Sequence, residues 1–308
     1  NGQGCSFSPD GNYLAVAHDT TPFVTIYKRS GDTFTKLSNP SVLPTGNGQG
    51  CSFSPDGNYL AVAHSDTPFI TIYKRSGDTF TKLSNPSALP TGNGYGCSFS
   101  PDGNYLAVAH GNTPFITIYK RSGDTFTKLS NPSVLPTGYG QGCSFSPDGN
   151  YLAVAHISTP FITIYKRSGD TFTKLSNPST LPAGVGQGCS FSPDGNYLAV
   201  THNNTPFITI YKRSGDTFTK LSNPSVLPAS YAWGCSFSPD MGFLAVVHNN
   251  SPYITIYGTQ EGGFVSPLTI PWGGIYIPSR YLGIALQNAN QGELCKVNLF
   301  PALNLQEV

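Results

Sequence analysis

The string Gly-Cys-Ser-Phe-Ser-Pro-Asp begins at Gly4 and returns at Gly50, Gly96, Gly142, Gly188 and Gly234, a constant step of 46 residues. A period of that length constrains the architecture before composition does. Each repeat is one supersecondary unit that cannot bury its apolar surface alone, so neighbouring copies must stack. Six steps account for residues 1–276 of the 308. The remaining tail has the length of four short strands and is too short for a separate stable domain.

Within the first unit, Gly4 to Ser8 reads as a short strand ending in Ser8-Pro9-Asp10-Gly11, whose Pro and Gly positions suit a type I turn. Tyr13 to His18 follows as a second strand and the β-branched and aromatic run Phe23 to Lys28 as a third. Ser30-Gly31-Asp32 turns the chain into a fourth strand, Thr33 to Leu37. Leu14 and Val16 point one way while Tyr13, Ala15 and Ala17 point the other, so both faces of the sheet are apolar and both need cover. Radial repetition of four-stranded sheets provides that cover and protects the edges. The tail repeats the pattern weakly: Tyr281-Leu282-Gly283-Ile284-Ala285 echoes Tyr13 to Ala17. The expectation is therefore an all-β chain, one seven-bladed β-propeller of four-stranded antiparallel blades. Its blades fall near 1–46, 47–92, 93–138, 139–184, 185–230, 231–272 and 273–308.

Phe7-Ser8-Pro9-Asp10-Gly11, then Tyr13-Leu14-Ala15, then Ile26-Tyr27 before a Gly-containing turn resemble the WD-repeat-like propellers, and the resemblance spans essentially the whole chain. It implies the propeller fold. Tyr27-Lys28 stands where that family has Trp-Asp, so the family's buried hydrogen-bond network does not carry over.

Charged residues make up 11% of the chain with a net charge of +1, spread evenly, which leaves no electrostatic footprint for nucleic acid or an anionic membrane. No apolar run reaches membrane-spanning length. The chain opens at Asn1 inside a repeat, without Met, which reads as a processed form or an excised domain. Low charge and a Ser/Thr/Asn/Gly-rich surface favour an extracellular, virion or cell-surface setting, as a monomer or part of a larger assembly. Six of the seven cysteines hold one repeat position, which reads as buried, reduced and inert thiols, and Cys295 stands apart.

Three sets of polar residues invite a chemical reading. His18, His64, His110, His156, His202 and His248 end the second strands. Strand spacing puts neighbouring imidazoles on the order of 10 Å apart, too far to share a metal, so a structural hydrogen bond to a neighbouring loop is expected. Asp10 and its counterparts belong to Pro-Asp-Gly turns. Lys28-Arg29 with Asp32 reads as a locally compensated charged rim. Near-identical blades offer the same group at many separate points, whereas catalysis needs dissimilar groups at one point. Only Arg280, Glu293, Lys296 and Glu307 of the tail are unique charged candidates, so no enzyme is expected, and no cofactor or metal.

The copies differ at a few positions. The first position reads Asn1, Asn47, Asn93, Tyr139, Val185, Tyr231 and the third Gln3, Gln49, Tyr95, Gln141, Gln187, Trp233. The loop between second and third strands carries Asp19-Thr20, Ser65-Asp66, Gly111-Asn112, Ile157-Ser158, Asn203-Asn204 and Asn249-Asn250. In an up-and-down blade these positions share one face with the long connections such as Ser38 to Gln49, and loops on a rigid scaffold are where recognition is built. The candidate ligand-binding set is Gln3, Asp19, Asn47, Gln49, Asp66, Tyr95, Asn112, Tyr139, Ile157, Asn204, Tyr231, Trp233 and Asn250. The function expected of it is non-enzymatic recognition of a protein or glycan. The alternatives are a multivalent lectin with repeated inter-blade sites and a structural propeller of a cell-surface or virion assembly.

Overall fold

The computed structural model describes residues 1–260 and 263–267. In the first repeat β1 (Gly2–Phe7), β2 (Tyr13–His18), β3 (Val24–Ser30) and β4 (Thr33–Lys36) lie side by side in chain order, all antiparallel. The same four-strand sheet recurs over 48–82, 94–128, 140–174, 186–220 and 232–267. The described residues therefore make six blades, and this corrects the expected seven. Each 46-residue period is used up by one sheet and its connection, so six periods give six sheets. The seventh blade, expected over 273–308, falls on residues outside the described ones.

Both faces of each sheet are apolar for the reason read in the sequence. Register sets Ala15 opposite Ile26 and Ala17 opposite Val24, so these four share a face with Tyr13. That face packs on Phe53, Leu60, Val62, Tyr73 and Phe80 of the next blade. The same cluster recurs at the following interfaces. Tyr13 and Phe80 meet edge to face at 6.1 Å, as do Phe53 and Phe80.

The repeated Gly-Cys-Ser-Phe string stitches blade to blade around the axis. A Cβ on Gly4 would stand 3.0 Å from the Gly50 Cα of the next inner strand, and Gly96 and Gly142 approach as closely, at 3.1 Å. The Ser6 hydroxyl accepts the Phe53 N–H at 3.1 Å, and Cys51 Sγ lies 3.5 Å from the Ala15 carbonyl of the preceding blade. The six repeat cysteines line the axial channel half-buried, rather than fully buried, and among the described residues they form no disulfide. Cys295 lies outside the described residues.

The two faces of the propeller differ in construction. On the face of the Pro-Asp-Gly turns, charges are clamped across blades and not within them, which corrects the local compensation expected of Lys28 and Asp32. Lys28 Nζ pairs with Asp78 of the next blade at 2.8 Å, and Tyr13 donates to the same carboxylate at 2.5 Å. Arg75 of that next blade stacks over the Tyr13 ring at 4.6 Å. The arrangement repeats through Lys166 and Asp216. The opposite face carries the variable positions.

Candidate active site

Three contacts assemble the variable positions. First, the first residue of a unit is tied by its carbonyl to the loop between second and third strands: Ser65 N–H donates to Asn47 O at 3.1 Å, Gly111 to Asn93 at 3.0 Å and Ile157 to Tyr139 at 3.1 Å. Second, the third-position side chain lies along the same loop, as shown by Trp233 Nε1 donating to Asn249 Oδ1 at 2.7 Å. Third, the connection from the preceding blade is held down on both sides. The Thr45 hydroxyl donates to Thr67 O at 2.7 Å, and the buried Tyr73 hydroxyl donates to Val42 O at 2.9 Å.

The predicted residues fall as follows. Asp66, Asn112, Asn204 and Asn250 are exposed on their loops, and Asn47, Tyr139 and Tyr231 are exposed at the first position. Gln3, Gln49, Tyr95, Trp233, Asp19 and Ile157 are half-buried. Asn112 Nδ2 donates to Thr91 O at 2.9 Å and Asn204 Nδ2 to Ala183 O at 3.1 Å, so these amides also brace the connections. Asn250 N–H donates to the Ser230 hydroxyl at 2.9 Å. The Asp19 carboxylate accepts from the amino group of Asn1. The Asp66 carboxylate and the Ser65 hydroxyl converge over Gly46, each 2.5 Å from where a Cβ on that glycine would stand. Ser65 Oγ accepts the Asn47 N–H at 3.0 Å.

The sequence did not reveal a further set on this face. Phe23, Phe69, Phe115, Phe161, Phe207 and Tyr253 follow the loop prolines with φ between 65° and 67°, a left-handed backbone that costs a residue with a Cβ about 1–3 kcal/mol. Neighbours fix it: Phe69 N–H donates to Asp66 O at 2.7 Å and Phe69 O accepts from His64 N–H at 3.1 Å. The Thr-Pro-Phe string in five of the six loops was the available signal. A positive φ at Phe is not readable from it, because it depends on how the loop closes between the second and third strands.

The histidines stand apart from this surface. Each Nε2 meets a threonine hydroxyl of the adjacent third strand in its own blade, as in His64 with Thr71 at 2.9 Å, and the ring also interacts with the backbone of the loop that follows, at Asp66 for His64, so a strand partner adds to the loop contact expected. His64, His110, His156 and His202 are buried, and desolvation pushes each pKa down to about 4. Among the described residues no group of three or more His, Cys, Asp and Glu is placed to hold a metal ion. Arg280, Glu293, Lys296 and Glu307 lie outside the described residues.

No protein-family model matches the chain, and none of the curated proteins is significantly similar to it in sequence. Solved structures do resemble it in shape. The periplasmic gluconolactonase of Pseudomonas aeruginosa is 19% identical with a TM-score of 0.67, over 87% of this chain and 84% of that one. A Bacteroides fragilis protein provisionally assigned as a 6-phosphogluconolactonase is 15% identical with a TM-score of 0.68, over 86% and 82%. Hydrazine synthase of Kuenenia stuttgartiensis is 17% identical with a TM-score of 0.66, over 83% and 76%. The chain is thus a β-propeller with repeated blades, and at these identities the likeness establishes the fold.

These neighbours correct the expectation of a non-enzymatic recognition module, with its lectin and structural alternatives, and of no enzyme. The same fold carries proteins named as enzymes, two of them lactonases, so repetition of the blades does not argue against catalysis. The case against catalysis weighed only the groups that repeat in every blade. On the loop face the blades present different groups at equivalent points, Asp66, Asn112, Ser158 and Asn204 among them.

Proposed function

We propose that the chain hydrolyses small lactones of the sugar-acid type on its loop face. The observation that carries this reading is Asp66, the one carboxylate in a ring whose equivalent positions are Thr20, Asn112, Ser158, Asn204 and Asn250. A carboxylate set among neutral hydrogen-bonding groups supplies a base, while the hydroxyls and amides around it suit a hydroxylated substrate. The candidate binding set read from the sequence becomes the substrate surface.

In this chemistry Asp66 takes a proton from water as the water oxygen bonds to the lactone carbonyl carbon. The bond from that carbon to the ring oxygen then breaks, the ring oxygen leaves with a proton, and an open hydroxy acid results. The names of the lactonase neighbours support the substrate class. No lysine or arginine occupies the first, third or loop positions, so an uncharged lactone suits the face better than a phosphorylated one. We read the blades themselves as WD-repeat-like on the strength of the Phe-Ser-Pro-Asp-Gly turn.

The test is acid release followed in a pH-stat with glucono-delta-lactone and its phosphorylated form. Faster turnover of the uncharged compound is expected. A rate equal to the spontaneous one for both compounds overturns the reading.

A further inference from the structure

Blade 3 breaks the near-symmetry of the loop face in a specific way. Its first loop residue is Gly111, where the other blades carry Asp19, Ser65, Ile157, Asn203 and Asn249. Its third position is Tyr95, and a Cβ on Gly111 would stand 3.4 Å from the Tyr95 ring, so here the aromatic lies against bare backbone at the first loop residue. Trp233 at the equivalent position of blade 6 is capped by the Asn249 side chain. Phe115, held in its left-handed backbone, packs its ring 6.0 Å from that of Tyr139, which opens blade 4 and is 45% exposed. The 111–115 loop therefore has the Tyr95 ring at its first residue and the Phe115–Tyr139 ring pair at its last. Beside them stands Asn112, whose Nδ2 is used on Thr91 O while its Oδ1 takes no hydrogen bond among the described residues.

We infer that Tyr95, Gly111, Phe115 and Tyr139 form the subsite on which the hydroxylated ring of the substrate stacks, with Asn112 Oδ1 accepting from a ring hydroxyl. The inference rests on the proposed lactone hydrolysis and places the substrate one blade along from Asp66. A sugar-type ring has an apolar C–H face and a polar hydroxyl edge, which is the combination an aromatic surface beside an amide oxygen accommodates. With glycine at 111 the first loop residue carries no side chain that could compete with a ligand for the Tyr95 ring. Because only blade 3 combines these features, a single orientation is selected on a scaffold that otherwise repeats.

The full chain carrying Tyr139→Ala, and separately Gly111→Asn, which restores the residue type of blades 5 and 6, tests this. KM and kcat for glucono-delta-lactone are measured, together with binding of anhydroglucitol, a ring without the lactone carbonyl, by saturation-transfer NMR. Circular dichroism checks that each variant is folded. KM is expected to rise about tenfold in both variants with kcat within about twofold, and the anhydroglucitol signal to be lost. Hydrolysis with unchanged KM and unchanged ring binding overturns the subsite while leaving the lactonase reading intact. Ring binding lost in the variants without any lactone hydrolysis overturns the lactonase reading and keeps the subsite. Neither binding nor hydrolysis in the wild type overturns both.

Discussion

At the scale of single residues, the repeat multiplies small effects, and the histidines show it most clearly. His64, His110, His156 and His202 are buried neutral with pKa values near 4, against an ordinary value of 6.5 in the unfolded chain. A base depressed in this way costs nothing above the unfolded value. Stability is lost as pH falls below about 6.5, because the unfolded chain takes up protons first, and the loss levels off near the folded pKa. Each histidine should cost on the order of 2 kcal/mol by pH 5. Urea midpoints at pH 7 and pH 5 check this: a steep fall is expected, reduced in His110→Gln, and equal midpoints would contradict it. That these histidines are structural was legible from their spacing. Their threonine partner was not, since it lies seven residues on and becomes a neighbour only once the second and third strands pair.

At the scale of elements, the strands, their faces and the variable loop face were legible because period, turn chemistry and β-branched runs are local signals. Contacts between blades were not. Asp32 lies four residues from Lys28, yet Lys28 bonds Asp78, fifty residues away, and no local pattern tells which copy of an aspartate a lysine will take. Likewise Gly94 reads as one glycine of many until the next-blade geometry puts its absent Cβ 2.3 Å from Phe69 O. Gly94→Ala should therefore destabilise the chain by about 1–3 kcal/mol through overpacking. Blade 6 carries Ala232 at this position. The loop of blade 5 that faces it lacks the Asn203-to-Val185 backbone bond whose equivalent the other described blades make. Tyr119→Phe tests the tether of the connection, where the hydroxyl of a fully buried ring donates to Ala88 O at 2.8 Å. About 1 kcal/mol should be lost in chemical denaturation, and an unchanged midpoint would show that the tether is not stabilising.

At the scale of the whole molecule, a scaffold of near-identical blades separates a face of repeated clamps from a face of variable loops. One face is spent on blade-to-blade clamps repeated with little change, from Lys28 and Asp78 to Lys166 and Asp216. The other varies in side chain while backbone bonds such as Ile157 N–H to Tyr139 O hold its loops in five of the six described blades. The sequence marked the candidate set as the positions that vary between copies, and the hydrogen bonds that tie them to the loops between second and third strands form only once strands and blades are paired. The measurement that bears most directly on the account compares two aspartates on opposite faces. Asp66→Asn and Asp170→Asn are assayed with the wild-type chain for hydrolysis of glucono-delta-lactone at equal folded concentration. The account predicts that Asp66→Asn loses roughly a hundredfold or more in kcat, while Asp170→Asn, which removes only a clamp, keeps wild-type turnover. Equal rates for Asp66→Asn and wild type would contradict it.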